Sequence, residues 1–140
     1  MKVVVENCNH EIKIRNSIFK AYIHKINNLD DQKIILSGYK TKFSNATHIC
    51  YGYRFCNTNQ LDLFGNPEII EYCVDDGEPS GTAGKPILNT LRKYSLINTS
   101  IFIIRYFGGI KLGISGLIEA YRESSEIIIK KTKNEKWIFF

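Results

Sequence analysis

Apolar and polar positions alternate most clearly over 47–56. Ile49, Tyr51, Tyr53 and Phe55 fall on one side; His48, Cys50, Gly52 and Arg54 fall on the other. A period of two predicts a half-buried strand. Its aromatic row suits core beneath a helix, or a platform on which bases stack. Residues 101–104 are instead a continuous run, Ile-Phe-Ile-Ile, as expected of a strand buried on both faces. Alternation over 11–15 and 18–26, with a turn at Asn16-Ser17, predicts two more strands, and 69–74 a further one. Three stretches read as helices. The first runs over 29–43, with Asn28 as N-cap, Asp30 and Asp31 in its first turn, and Ile34, Ile35 and Leu36 packing inward; Gly38 weakens it. The second opens at Lys85 or Pro86 and carries a stripe of Ile87, Leu88, Leu91 and Leu96. The third spans 117–131 with Leu117, Ala120, Tyr121, Ile127 and Ile128 inward. Residues 57–67 read as a polar loop with turn residues. The order β-β-α-β-β-α-β-α predicts an α+β two-layer sandwich, a mixed sheet with helices on one face.

Two connections differ from ordinary turns. Residues 75–86, Asp-Asp-Gly-Glu-Pro-Ser-Gly-Thr-Ala-Gly-Lys-Pro, mix three acids, three glycines, two prolines and two hydroxyls. That is a structured loop rather than a linker. Residues 105–116 follow the buried strand and place Gly108, Gly109, Gly113 and Gly116 between Arg105 and the last helix. Strand, glycine loop, helix is a layout that gathers free backbone N–H groups at one spot. Each loop follows a strand and precedes a helix, so neighbouring strands would bring the two together.

Charge sharpens this picture. The net charge is +5, yet residues 1–81 carry nine Lys/Arg against ten Asp/Glu, and residues 82–140 carry ten against four. A basic C-terminal half suits an anionic partner. A length of 140 residues fits one domain with a sizeable core, assigned to 1–132, with 133–140 as a basic and apolar tail. The closing Trp137-Ile138-Phe139-Phe140 should dock on the fold or on a partner. No stretch approaches a membrane span and no signal peptide stands at the start, so a cytoplasmic chain without membrane contact is expected. Cys8, Cys50, Cys56 and Cys73 lack zinc or C-x-x-C spacing and read as reduced thiols. His48 and Cys50, on one face of a strand, are a distant candidate for a nucleophile pair.

The candidate chemistry follows. Lys85, Arg105 and Lys111 are possible anion contacts, Gly108, Gly109, Gly113 and Gly116 shape the approach, and Ser80 and Thr82 either cap the second helix or bind an anion. Arg105 has a competing structural role, a buried pair with Asp75, Asp76 or Glu78. Asp75 and Asp76 could hold magnesium beside a substrate phosphate, but adjacent loop acids more commonly cap or face water. No metal and no cofactor is expected. The spacing G-G-x-x-x-G-x-x-G matches neither the dinucleotide fingerprint nor the phosphate-binding P-loop, and no catalytic residue is assigned.

Ala46-Thr47-His48-x-x-Tyr51-x-Tyr53-Arg54, the whole run 75–88, and Arg105-Tyr106-Phe107-Gly108-Gly109-Ile110-Lys111-Leu112-Gly113 together resemble the IMPACT/YigZ family in its bacterial form, over about 12–130. The resemblance implies a fold like a domain of a small-subunit ribosomal protein and domain IV of elongation factor G. It also implies translational regulation, as in eukaryotic IMPACT proteins, which compete for the activator of an initiation-factor kinase. For the bacterial type, an association with RNA or the ribosome is inferred from fold. Three features depart from the family pattern. Ser115 stands where the family has a glycine, Ile18 stands where it has an arginine, and neither the second ferredoxin-like domain nor the RWD domain is expected here.

Three functions are consistent with these residues. The preferred one is a non-enzymatic, translation-associated module binding RNA or a ribosome-associated protein. The alternatives are a small-molecule enzyme holding a phosphorylated substrate between loops 75–86 and 105–116, and a protein-interaction domain. The residues leave the oligomeric state open.

Overall fold

The computed structural model describes residues 2–4 and 7–139, with side chains of 58–60 and 134–139 outside that description. Strands β1 (Lys2–Val4), β2 (Cys8–Ile14) and β3 (Ser17–Lys25) lead into α1 (Leu29–Lys42). Strands β4 (His48–Leu61) and β5 (Pro67–Val74) precede α2 (Gly84–Lys93), and β6 (Thr99–Tyr106) precedes α3 (Gly113–Lys136) and β7 (Trp137–Phe139). From β2 to α3 the order of strands and helices is the one the periodicity predicts.

The five-stranded sheet runs β2-β3-β6-β4-β5. Every pairing is antiparallel, so the expected mixed sheet is corrected. Both β-β pairs are hairpins, and each helical crossover returns the chain antiparallel to its new neighbour. Arg15 and Asn16 turn the first hairpin with φ of 46° and 68°, and Ile14 pairs directly with Ser17. That is a two-residue turn with both central φ positive, one residue earlier than the expected Asn16-Ser17.

Helices cover both faces, not one. On one face α2 and α3 pack over Phe19, Ala21, Ile23, Cys50, Ile101 and Ile103. On the other, α1 lies over Phe102, Ile104 and Ile49. Central β6 therefore needs apolar side chains in both directions, which explains its continuous run. The side chain of Asn28 accepts the Asp31 N–H at 2.9 Å and caps α1 as expected. The inward face differs: Tyr39 and Phe43 are its buried apolar residues, Ile35 and Leu36 are half-buried, and Ile34 is 70% exposed. At 100° per residue, three consecutive isoleucine and leucine positions cannot all face one sheet.

Two other segments carry more structure than expected. The polar loop at 57–67 is the outer part of a long hairpin, closed by Leu61 opposite Pro67. Helix α3 begins four residues early and runs to Lys136, so 133–136 form its last turn. β7 then pairs antiparallel with β1, Val3 opposite Ile138. Where the side chains of Trp137 to Phe140 dock lies outside the described residues. No helix among the described residues is long and apolar enough to cross a membrane.

Candidate functional site

The register of β4 on β6 sets His48 directly opposite Arg105. Both side chains project toward α3, and loop 75–86 brings Glu78 between them. Arg105 and Glu78 form a buried ion pair, with side chains 4% and 3% exposed and Nη1 donating to both carboxylate oxygens at 2.9 and 2.8 Å. Tyr121 of α3 donates its hydroxyl to Glu78 Oε2 at 2.6 Å. His48 Nε2 lies 3.1 Å from Oε1. Each Glu78 oxygen thus has two donors, which fills the lone-pair directions of a carboxylate. The remaining Arg105 contacts run to Ser17 Oγ, 3.1 Å from Nη2 and 3.4 Å from Nε. Phe19 and Phe107 lie against the guanidinium, with ring centroids 5.5 and 5.6 Å from its carbon.

His48 is bonded at both ends. Its Nδ1 is 2.7 Å from the carbonyl oxygen of Asp76 while Nε2 faces Glu78. Both partners are oxygen atoms, so the ring is held at both nitrogens. Cys50, next but one along β4, donates its thiol to the Asp75 carbonyl at 3.1 Å, and its sulfur lies 3.4 Å from the Tyr121 oxygen. Burial drives its thiol well above the usual range, which keeps it a thiol rather than a thiolate nucleophile. The Tyr121 hydroxyl is also raised, by burial first and then by Cys50 and Glu78. His48 and Cys50 are therefore tied to other partners rather than to one another.

The loop acids divide the work. Asp75 accepts the backbone N–H groups of Gly81, Ala83 and Gly84 at 2.9, 3.2 and 2.8 Å, capping the start of α2 from within the loop. Asp76, at φ 45°, accepts the Ile49 N–H at 2.7 Å and locks the loop to β4. Thr82 turns back onto the Pro79 carbonyl at 2.5 Å, while Ser80 stays exposed. Among the described residues no three His, Cys, Asp or Glu side chains gather as metal ligands.

Loop 105–116 meets loop 75–86 across a cleft of about 440 Å³ lined by Thr47, His48, Pro79, Phe107, Lys111 and Ile114, with Glu78 and Arg105 at its floor. A Cβ on Gly108 would stand 2.1 Å from the Asn16 carbonyl, so only glycine lets this loop pass the first hairpin. Gly109 and Gly113 have φ of 88° and 75°, and Gly116 lies inside α3. Ser115 also sits in α3 with no positive φ, so the glycine it replaces in the family pattern is not needed for the backbone here. Lys111 is exposed at the cleft. Lys85 is elsewhere, in a groove of about 370 Å³ between α2 and α3 that also holds Lys93 and Arg122. The structure therefore joins Arg105, Glu78, Lys111, Gly113 and the loops themselves, and separates Lys85 from them.

Ser17, His48 and Tyr121 are members of the cluster that sequence reasoning did not assign to it. In the sequence Ser17 reads as a turn residue and Tyr121 as helix core. The His48–Arg105 register carries the one signal that links them, and it exists only once β4 and β6 pair.

Residues 15–129 match the family described as the Impact N-terminal domain. The IMPACT family member YvyE of Bacillus subtilis is 40% identical over 121 residues, 86% of this chain and 52% of that protein. This chain spans about half to three-fifths of the length of the first curated relatives it matches. A crystal structure described as a hypothetical protein superposes with a TM-score of 0.80 at 25% identity, covering 93% of this chain and 60% of that one. The translational regulator Yih1, described as a two-domain protein, superposes at 0.54 and 18% identity over 87% of this chain and 45% of its own, a likeness of fold. With its two signature loops folded together around the Arg105–Glu78 pair, this chain belongs to the Impact N-terminal domain family.

Proposed function

We propose that this chain is a non-enzymatic module of translational control that binds RNA or a ribosome-associated protein through its basic surface. The observation that carries the reading is where the charge lies. Lys85, Lys93, Arg122 and Lys130 are exposed on α2 and α3, and Lys111 is exposed on the glycine loop. Ammonium groups on helix surfaces suit phosphate as point charges and carry no sequence preference. Yih1, a protein of this fold, is described as a translational regulator, which supports the biological setting. The non-enzymatic part rests on the saturation of Glu78 and the double engagement of His48. Neither has a free site for a substrate proton.

Structured RNA binding followed by fluorescence anisotropy tests the reading. Lys85→Ala, Lys93→Ala and Lys111→Ala combined should weaken binding by about tenfold or more at low salt. No affinity at low salt, or none lost in the triple variant, contradicts it. A thermal-shift screen of nucleotides and sugar phosphates, with and without magnesium, should leave the melting temperature unchanged. A shift abolished by Asp76→Asn would instead support the small-molecule enzyme.

A further inference from the structure

The outer end of the β4–β5 hairpin is the most apolar exposed point among the described residues. Leu63 is 99% exposed, Phe64 87% and Leu61 64%. The turn that displays them is well ordered by its own hydrogen bonds. Asp62 Oδ1 accepts the N–H groups of Phe64 and Asn66 at 2.8 and 2.9 Å. The Asp62 N–H donates to the Asn66 carbonyl at 2.7 Å, and Gly65, at φ 80°, donates to the Asp62 carbonyl. A turn backbone held this way loses little conformational freedom on docking.

The surroundings of the tip select its partner. From Phe55 to Gly84 the chain has no lysine or arginine and six acids, of which Asp62 and Glu68 belong to the outer hairpin. Two carboxylates beside the apolar pair oppose RNA phosphate and anionic lipid headgroups. They suit an apolar groove with a cationic rim. This chain has one: the α2–α3 groove has Pro86 and Ile118 on its floor and Lys85, Lys93 and Arg122 at its edge, Lys93 paired with Glu126 and Arg122 with Glu119 and Glu126. Ile118 is itself 39% exposed. The tip cannot reach the groove of its own chain. α2 ends beside Arg54, since Arg92 and Arg54 share Glu71. Leu61 is seven extended residues beyond Arg54, about 20 Å away.

We infer that the hairpin tip, Leu63 and Phe64, docks into the α2–α3 groove of a second copy of this chain, with Asp62 and Glu68 facing the cationic rim. The contact is head-to-tail, so one docked pair leaves a free tip and a free groove. Its small area makes it weak and sensitive to salt.

Sedimentation velocity on the full chain without RNA tests this, independently of any nucleic-acid binding. At about 0.5 mM protein and about 30 mM salt the average mass should rise above the 16.1 kDa of one chain, and about 300 mM salt should reverse the rise. Leu63→Ser with Phe64→Ser should remain monomeric, and so should Lys85→Glu with Arg122→Glu. Mixed together, the two variants should recover a one-to-one pair at about twice the single-chain mass, because each keeps the half that the other lacks. Circular dichroism checks that both variants fold, their changes being confined to exposed positions. A wild-type chain that stays monomeric at low salt overturns the inference. So does association that survives the tip changes, or a mixture that fails to pair. Tip-dependent binding to neutral phosphatidylcholine vesicles without self-association would assign the tip to lipid and overturn it as well.

Discussion

Glu78 holds four donors from three elements: two N–H bonds from Arg105 of β6, the Tyr121 hydroxyl of α3 and the His48 ring of β4. Removing one partner of such a buried pair leaves the other charge uncompensated, at about 3–5 kcal/mol. Arg105→Ala should therefore lower stability in urea titrations by that order. Replacing both residues, Arg105→Met with Glu78→Met, should cost less than Arg105→Ala alone. A double variant that is the less stable of the two would contradict this. His24 sets the pH response of the opposite face. It is hydrogen-bonded to the Tyr39 hydroxyl and lies edge-on to Phe102, and burial lowers its pKa from 6.5 to about 4. The unfolded chain takes up that proton first as pH falls. The contribution is complete above pH 6.5 and is lost between pH 6.5 and 4, by up to about 2 kcal/mol allowing for partial exposure. The urea midpoint should fall between pH 7 and 5, and should fall less in His24→Gln. Glu71 acts in a lower window. Hydrogen bonds from Arg92, then Arg54, hold it at about 2 against an ordinary 4.5, so its support is lost as pH falls from 4.5 through 2.

At the scale of elements, the glycine loop is fixed by the hairpin it passes. A methyl on Gly108 would enter the Asn16 backbone, whereas one on Gly116 would meet only the Leu112 side chain at 3.2 Å. Gly108→Ala should cost about 3 kcal/mol or more and Gly116→Ala about 1 or less, read as shifts in melting temperature. Much of this level is legible in the residues. The alternation at 47–56 and the run at 101–104 mark two neighbouring strands, and Asn28 caps α1. Ile34 shows the limit: its apolar side chain gives no sign that α1 turns Tyr39 and Phe43 inward instead. The face that α1 covers is equally hidden, because a strand apolar in both directions accepts helices on either side. For the cluster, Arg105 and three candidate acids are visible in the chain. That Glu78 is the partner, rather than Asp75 or Asp76, follows from backbone N–H groups that claim the other two. No local pattern encodes that competition.

Across the whole molecule, polar groups separate by depth. The buried ones bond to each other and fix two loops against the sheet. Exposed cations lie on α2, α3 and the glycine loop and also on α1 and the first hairpin, while residues 55–84 carry no cation at all. The outer β4–β5 hairpin is thus acidic, while α2, α3 and the glycine loop carry exposed lysines. Arg105, the candidate with the strongest phosphate chemistry, is taken up by Glu78 in the interior, so the proposed RNA contacts fall to exposed lysines. The measurement that tests this most directly is the affinity for a structured RNA across a salt series. Log affinity should fall linearly with log salt, with a slope of about −3 for three or four phosphate contacts, reduced toward zero in the triple lysine variant. A wild-type affinity that is absent at low salt, or that is unchanged by salt, would contradict it.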